Sequence, residues 1–269
     1  MTRAAAGGAP IAGVWDPLSA RLAERAGFPF LFLGGFALSG TLLGQPDVGV
    51  LTQSEILDAA RRIRAAVPTP LFVDGDTGHG GPRNVERLVR ACIDMRAAGV
   101  FLEDQVWPKR CGHMKGKQVV ERAEYLEKLA AAREARGDAR LRIVARTDAR
   151  APLGLDEAIA RGRAFAEAGA DVVFVEAPQG VEELRRVAKE VPGPLLANVV
   201  DGGRTPALAR DELVAIGFEW LLYPVSALFA GALAMESAYR GLLETGRLGS
   251  VPVMEFHRFT ALVGLEEEA

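Results

Sequence analysis

The alternation of apolar and polar segments along the chain predicts eight βα units. Short apolar runs, which predict strands, alternate with longer stretches in which apolar residues recur at helical spacing. The predicted strands are Ile11–Trp15, Phe30–Leu33, Leu71–Asp74, Val100–Glu103, Arg142–Arg146, Val172–Glu176, Leu195–Asn198 and Trp220–Tyr223. The predicted helices are Pro17–Ala26, Gln53–Ala66, Arg83–Ala98, Arg122–Arg136, Leu155–Ala168, Val181–Glu190, Pro206–Ile216 and Ala227–Thr245. This pattern predicts an α/β protein with a (β/α)8 TIM barrel.

An open doubly wound sheet is the alternative architecture. It is disfavoured because no G-x-G-x-x-G fingerprint follows the first predicted strand. No linker or low-complexity segment divides the chain, so residues 1–269 are predicted to form a single domain. Two segments lie outside the eight units. Residues 105–120 lack helical periodicity and are predicted to be a mobile active-site loop, and Met254–Val263 predicts a helix in the C-terminal tail.

Composition and charge narrow the function classes. With 32 Lys and Arg residues against 35 Asp and Glu residues, the net charge of −3 leaves no excess positive charge to bind nucleic acid. No apolar run approaches the ~18 residues needed to span a bilayer, and the N-terminus lacks a signal-peptide pattern, so we expect a cytoplasmic protein without a membrane partner. The different settings of Cys92 and Cys111 predict thiols and not a disulfide.

A polar residue closes nearly every predicted strand, and Gly34 and Gly35 follow the second strand. The polar residues are Asp16, Asp74, Asp76, Glu103, Asp104, Arg146, Asp148, Glu176, Asn198 and Tyr223. In a parallel barrel the carboxyl ends of all strands meet at one mouth. Any single polar residue there is explained equally well by the exit of a strand from the core. Several carboxylates at one mouth, however, repel one another unless a cation or an anionic ligand is arranged to balance them. The sequence therefore predicts a bound metal.

The pair Asp74 and Asp76 is the sharpest metal signal. Two carboxylates at positions i and i+2 after an apolar strand can reach one hard cation directly or through water. Because no His or Cys stands at zinc spacing, the surroundings favour Mg²⁺ or Mn²⁺ over zinc. Further residues are predicted around this site, as direct or water-mediated ligands or as groups that hold a substrate carboxylate: Asp47, Glu103, Glu176, Arg146 and Asn198.

The segment Lys109–His113 places Cys111 beside two cations and an imidazole. Such surroundings lower the pKa of a thiol toward neutrality, which predicts a reactive acid/base. The alternative is a basic surface loop with an incidental cysteine. Cys92, in contrast, lies in the middle of a predicted helix and is predicted to pack in the core. His79 follows the Asp pair in a Gly-rich loop, where it would either line the pocket or lie on the surface.

Several segments together resemble the isocitrate lyase/phosphoenolpyruvate mutase superfamily: Val73–Gly78, Leu102–Gln105, Lys109–His113, Ala145–Asp148 and Ala197–Asn198. The resemblance extends over most of the chain, and the Lys-Arg-Cys-Gly-His loop is highly specific. Within the superfamily, the chain is most similar to the 2-methylisocitrate lyase, 2,3-dimethylmalate lyase and carboxyphosphonoenolpyruvate phosphonomutase branches. The resemblance implies a barrel whose eighth helix is swapped between subunits, in a homotetramer that is a dimer of helix-swapped dimers.

The resemblance also implies roles for individual residues. Asp74 and Asp76 would anchor Mg²⁺, Cys111 would be the catalytic acid/base, and His113 would orient the ligand or the closed loop. The remaining implied site residues are Asp47 and Glu103 around the ion, and Arg146, Glu176 and Asn198 at the carboxylates or hydroxyl of the substrate, where Arg146 also stabilises developing charge.

These roles imply a Mg²⁺-dependent carbon–carbon lyase that acts on a small anionic carboxylate. The substrate would be a 2-hydroxy di- or tricarboxylate, and the products an α-keto acid and a carboxylate. A phosphonomutase that forms a P–C bond is the alternative, because the cysteine loop occurs in both.

The loop after the second strand departs from the pattern of the superfamily. Members usually carry small, hydroxyl-bearing residues there, which receive a substrate carboxylate, whereas this chain has Gly34, Gly35 and Phe36. Loss of the hydroxyl removes hydrogen-bond donors and the added phenyl ring fills space, which together predict an altered substrate. If Phe36 blocks the pocket, the protein would instead be a non-catalytic ligand-binding barrel.

Overall fold

The computed structural model describes residues 8–112 and 116–265, in which eight parallel strands close into a barrel. Each strand pairs with the next along the chain, and β8 closes the barrel against β1. The strands are β1 (Ala9–Val14), β2 (Phe30–Leu33), β3 (Leu71–Asp74), β4 (Gly99–Glu103), β5 (Arg142–Thr147), β6 (Val172–Val175), β7 (Leu195–Asn198) and β8 (Trp220–Tyr223). The (β/α)8 barrel predicted from the apolar pattern is confirmed.

Helices connect the strands and follow β8. They are α1 (Pro17–Arg25), α2 (Gly35–Leu38), a π-helical segment (Ser39–Leu43), α3 (Gln53–Ala66), α4 (Pro82–Asp94), α5 (Arg122–Arg136), α6 (Arg150–Leu153), α7 (Leu155–Glu167), α8 (Val181–Glu190), α9 (Arg210–Ile216), α10 (Ser226–Thr245) and α11 (Phe256–Leu262).

Side-chain caps fix the start of two helices. Thr52 accepts a hydrogen bond from the backbone N–H of Glu55, and the Glu55 carboxylate accepts one from the backbone N–H of Thr52 at 2.8 Å. At α1, Asp16 accepts from the backbone N–H of Ser19 at 2.6 Å. Such caps satisfy donors that have no partner inside the helix. Asp16, one of the polar residues predicted to converge at the mouth, is therefore a helix cap.

Aromatic side chains fill the barrel interior. Phe72 packs edge-on against Trp220 at 5.7 Å between ring centroids and against Phe101 at 5.9 Å. Phe174 lies 6.4 Å from Phe101. Edge-to-face contacts of this kind stabilise the core beyond the burial of apolar area. The assignment of the strand phenylalanines to barrel packing is confirmed by this cluster, which includes Phe30, Phe32, Phe72 and Phe174.

The structure differs from the sequence prediction in its shortest elements. α2, the π-helical segment and α6 span only four or five residues each, too few for a helical period to show in the sequence. α4 ends at Asp94 and not at Ala98, because Arg96 adopts a left-handed φ of 56°. α9 begins at Arg210, later than the predicted Pro206.

The last two helices contribute little to the buried core. None of the residues of α10 is buried, and several of its apolar side chains are exposed, with Leu233 65% exposed. A helix with apolar residues on several faces is typical of a buried element. Among the described residues, no helix has the length and apolar character to cross a membrane. The predicted tail helix is α11, shorter than expected, and the acidic residues 266–268 lie outside the described residues.

Candidate active site

A cavity of about 360 Å³ lies at the carboxyl ends of the strands. It brings together most of the residues predicted for the site: Gly34, Gly35, Phe36, Asp47, Asp74, Glu103, Cys111, Arg146, Glu176 and Asn198. Asp76 is buried behind the cavity wall, beside Lys109. His113 lies outside the described residues.

Lys109 provides the positive charge at the centre of the predicted metal site. Its Nζ lies 2.6 Å from Oδ1 of Asp47 and 2.7 Å from Oδ1 of Asp76. Asp74 is held by the backbone, since its Oδ2 accepts from the N–H of Gly35 at 3.0 Å. A Cβ at Gly35 would lie only 3.1 Å from Lys109 Nζ, so a glycine here lets the β2 loop approach the charges closely. The three aspartates and Lys109 are called the ionic cluster below.

The ionic cluster and its neighbour Glu103 hold more negative charge than the buried site readily accommodates. Burial raises the pKa of Asp76 to about 7, although the ammonium of Lys109 opposes this shift. Burial likewise raises the pKa of Glu103 well above its usual range, against the opposing charge of Arg146. Shifts in this direction mean that the protein's own cations only partly compensate the carboxylates.

The donor set fits a hard, hydrated divalent cation. Among the described residues, no three His, Cys, Asp or Glu side chains lie in an arrangement that could hold a metal ion by themselves. Glu103 Oε1 is nevertheless buried and has no hydrogen-bond partner within the described ranges. An oxygen-only set with few direct ligands is what Mg²⁺ accepts, because it retains several of its waters.

Arg146 is held at the end of β5 by three carboxylates. Its Nε lies 2.7 Å from Asp148 and 3.3 Å from Glu103, and its Nη2 lies 3.3 Å from Glu176. Burial opposes its charge, but these carboxylates raise the pKa of Arg146 well above its usual value. Asn198 Nδ2 donates to Glu176 at 3.3 Å, and Asn198 Oδ1 is buried with no hydrogen-bond partner in the described chain. Arg146 therefore remains a cation at the cavity, suited to binding a carboxylate.

The loop after β4 covers the cavity. The Cys111 backbone N–H donates to the Asp47 carbonyl at 3.1 Å, which brings the thiol to the cavity wall. Lys117 Nζ donates to the Gly112 carbonyl at 2.6 Å and to Asp148 at 2.7 Å. The loop is thus fastened to the ends of other elements at both sides of the cysteine. Both cysteines carry thiols, and the predicted core position of Cys92 is confirmed.

Two residues, His79 and Asp104, lie in positions that differ from those predicted from the sequence. The His79 side chain is only 8% exposed and lies 3.9 Å from Asp76, with its ring 5.7 Å from that of Trp107, so it does not line the cavity and is largely withdrawn from the surface. Asp104 accepts from Thr147 and from Arg161 at 3.0 Å, behind the mouth. Asp104 therefore supports the end of β5 without lining the cavity.

The ion-pair partners of the loop lysines and one wall of the cavity were not predicted from the sequence. Lys109 and Asp47 are 62 residues apart, and Lys117 and Asp148 are 31 residues apart, so no local spacing reveals either pair. Phe229, Val225 and Val200 also line the cavity. These apolar residues follow β7 and β8 and carry no chemical signature in the sequence.

Comparison with known proteins places the chain in a family. The family model described as phosphoenolpyruvate phosphomutase matches residues 6–243. The chain is 48% identical over 257 residues to the petal death protein of Dianthus caryophyllus, covering 94% of this chain and 81% of that protein. It is 41% identical over 257 residues to 2,3-dimethylmalate lyase of Eubacterium barkeri, covering 95% and 89% of the two chains.

Solved structures agree with this assignment. Oxaloacetate acetylhydrolase in complex with 3,3-difluorooxalacetate superposes with a TM-score of 0.92 at 35% identity, covering 95% of this chain and 88% of that one. Phosphonopyruvate hydrolase in complex with oxalate and Mg²⁺ superposes with a TM-score of 0.82 at 29% identity, covering 95% and 89%. The chain belongs to the isocitrate lyase/phosphoenolpyruvate mutase superfamily, and it is an enzyme of that superfamily of lyases and mutases.

Proposed function

We propose that the protein is a Mg²⁺-dependent carbon–carbon lyase that cleaves a small 2-hydroxy di- or tricarboxylate into an α-keto acid and a carboxylate. One observation carries the proposal: Cys111, Arg146 and the ionic cluster meet at the same cavity, which Asp47, Asp74 and Lys109 line directly while Asp76 lies behind its wall against Lys109. A proton donor, an anion-binding cation and a site for a hard metal are the groups that such a cleavage needs.

Mg²⁺, or Mn²⁺ in its place, would be held by Asp74 and Asp76, with Asp47 and Glu103 around it. When bound, the ion would supply Lewis-acid stabilisation of developing negative charge on oxygen. The related phosphonopyruvate hydrolase was solved with oxalate and Mg²⁺, which supports this assignment.

The side chains around the cavity divide the reaction between them. Arg146 and Asn198 bind a carboxylate of the substrate. A buried carboxylate of the protein takes the proton of the substrate's 2-hydroxyl group. The bond between C2 and C3 breaks, C2 becomes the carbonyl of the α-keto acid, and the electron pair remains on C3 beside its carboxylate. Cys111 then delivers its thiol proton to C3. The loop excludes water, which would otherwise protonate this carbon in place of Cys111.

Phe36 leaves room for a substrate. Its ring lines the cavity of about 360 Å³ and does not fill it. Phe36 therefore does not block the cavity, and the reason for expecting a non-catalytic ligand-binding barrel does not apply.

The function is tested by incubating the protein with Mg²⁺ and a panel of 2-hydroxy di- and tricarboxylates while trapping α-keto acid. We expect stoichiometric α-keto acid and carboxylate from at least one substrate, and loss of turnover when EDTA removes the metal. If keto acid forms from none of them, and a carboxyphosphonate-type substrate instead yields a P–C bond, the protein is a mutase and the lyase proposal fails.

We also propose that the protein is a homotetramer in which α10 packs on a second copy. An apolar groove of about 530 Å³ lies beside α1, lined by Trp15, Leu18, Leu22 and Phe28 and bordered by Met235 of α10 itself. The exposed apolar side chains of α10 match this groove in character, and burial of such surfaces is what stabilises obligate assemblies.

Substitution on α10 is expected to weaken this assembly. By sedimentation or light scattering, the native protein should have four times the 28.7 kDa mass of one chain. Leu233→Glu, at a position 65% exposed in the single chain, should shift the mass toward smaller species because a buried charge would be unpaired. Leu153→Glu is the control, because Leu153 is 54% exposed but lies on α6. A monomeric native protein would contradict the proposal.

A further inference from the structure

One part of the cavity wall is apolar and aromatic. Phe36, at the start of α2, and Phe229, in the first turn of α10, meet edge to face with ring centroids 6.0 Å apart and planes at 77°. Val200 and Val225 line the same cavity. These four residues are called the aromatic wall below.

The aromatic wall begins beside the charged groups. Phe36 directly follows Gly35, whose backbone N–H donates to Asp74 at 3.0 Å and whose Cα faces Lys109. A ligand that places carboxylates at Arg146 and the ionic cluster therefore has the rest of its skeleton within reach of the wall. The cavity volume of about 360 Å³ lies in the range of about 300–1,000 Å³ that holds drug-sized ligands, more than a bare four-carbon dicarboxylate needs.

We infer that the aromatic wall is a subsite for an apolar substituent, so that the substrate is a 2-hydroxy dicarboxylate carrying an alkyl or aryl group larger than methyl, and not a tricarboxylate. The inference deepens the proposed function and rests on it for the identity of the reacting core. A third carboxylate against these side chains would lose its water without gaining a donor.

The charged residues at the rim do not alter this conclusion. Arg110 and Asp201 line the cavity but are exposed, and they carry opposite charges. Together they give a third carboxylate no net attraction in water. An apolar substituent instead gains from leaving water against the wall.

Binding of ligands that cannot be cleaved tests the subsite directly. Calorimetry with the Mg²⁺-loaded protein would compare succinate with methyl-, butyl- and benzylsuccinate, which lack the 2-hydroxyl, and with tricarballylate. We expect affinity to rise by about fourfold per added methylene. Tricarballylate should bind more weakly than butylsuccinate.

Variants of the aromatic wall test whether its residues cause the rise in affinity with the size of the substituent. Phe229→Ala and Phe36→Ala should each reduce the preference for butyl- over methylsuccinate by roughly tenfold, the lower bound for altered apolar contact in such pockets. Phe229→Leu should retain most of it, because the side chain stays apolar. Phe259→Ala is the matched control: Phe259 is 43% exposed against 40% for Phe229, but it lies on α11 and away from the cavity. Thermal melting would verify that each variant is folded.

The outcomes separate this inference from the proposed function. Affinity that does not rise with the length of the alkyl chain overturns the inference, as does tighter binding of tricarballylate than of butylsuccinate. A loss of preference for butyl- over methylsuccinate in Phe259→Ala equal to that in the wall variants overturns it as well. A lack of keto acid from every hydroxy acid overturns the lyase proposal, and with it the 2-hydroxy core, but leaves the apolar subsite standing, because the succinates report binding without turnover.

Discussion

Cys111→Ser is expected to lower kcat by about 10²-fold or more while Mg²⁺ affinity stays close to that of the native protein. A serine hydroxyl is a far weaker acid than a thiol, so it donates a proton poorly to a carbanion. The substitution should leave the loop in place, because the backbone N–H of residue 111 makes the hydrogen bond to Asp47. Steady-state kinetics and calorimetric titration with Mg²⁺ measure the two effects.

Cys92→Ala provides the control for this prediction. Cys92 is fully buried on α4, and burial raises the pKa of its thiol to about 12, against a small opposing effect of Arg61. Such a thiol is chemically inert at neutral pH. Its removal should lower the melting temperature and leave kcat near the native value. Equal kcat values for Cys111→Ser and the native protein would remove the cysteine from the mechanism.

The second large effect is expected from adding a single methyl group to the loop. A Cβ at Gly112 would lie 2.5 Å from Nη2 of Arg146 and 2.6 Å from Cδ of Glu176. Both side chains are held in place by ion pairs, so the loop and not the barrel must shift. Gly112→Ala should therefore reduce kcat/KM by about 10²-fold, the loss typical of a displacement of about 1 Å in a positioned group.

Gly40→Ala is the matched control for the loop glycine. Gly40 lies in the π-helical segment near the mouth, and a Cβ there meets no atom within 4 Å. Its kinetics should be close to native, and limited proteolysis should show faster cleavage after loop residues only in Gly112→Ala. Native kinetics in Gly112→Ala would mean that the closed loop is dispensable for turnover.

The strands and the chemistry at their ends could be predicted because both follow from short segments. A short apolar run that ends in Asp74 or Glu103 predicts both a strand and a last side chain that reaches the mouth of the barrel. The same holds for the loop with Cys111, whose polar residues interrupt a regular pattern. Local sequence therefore predicted the barrel and most of the polar residues that line the cavity.

The charge compensation at the mouth could not be predicted in this way. From the sequence we expected an outside cation to balance the clustered carboxylates, whereas four cations of the protein form ion pairs with them: Lys109, Lys117, Arg146 and Arg161. Although burial opposes ionisation of Asp148, Arg146 and Lys117 hold the pKa of this carboxyl well below its usual range. These pairs depend on how the loop folds back over the barrel, and only the three-dimensional structure contains that information.

The position of Phe229 joins the pocket to the outer surface of the protein. The residue lines the cavity from the first turn of α10, and the rest of that helix extends beyond the barrel. In the proposed tetramer, a second copy packed against the outer turns of α10 would change the room left for a substrate, while the strand-borne acids and arginine would stay where they are. Substitutions at such a contact between copies would then change which carbon skeletons are accepted without altering the reaction itself.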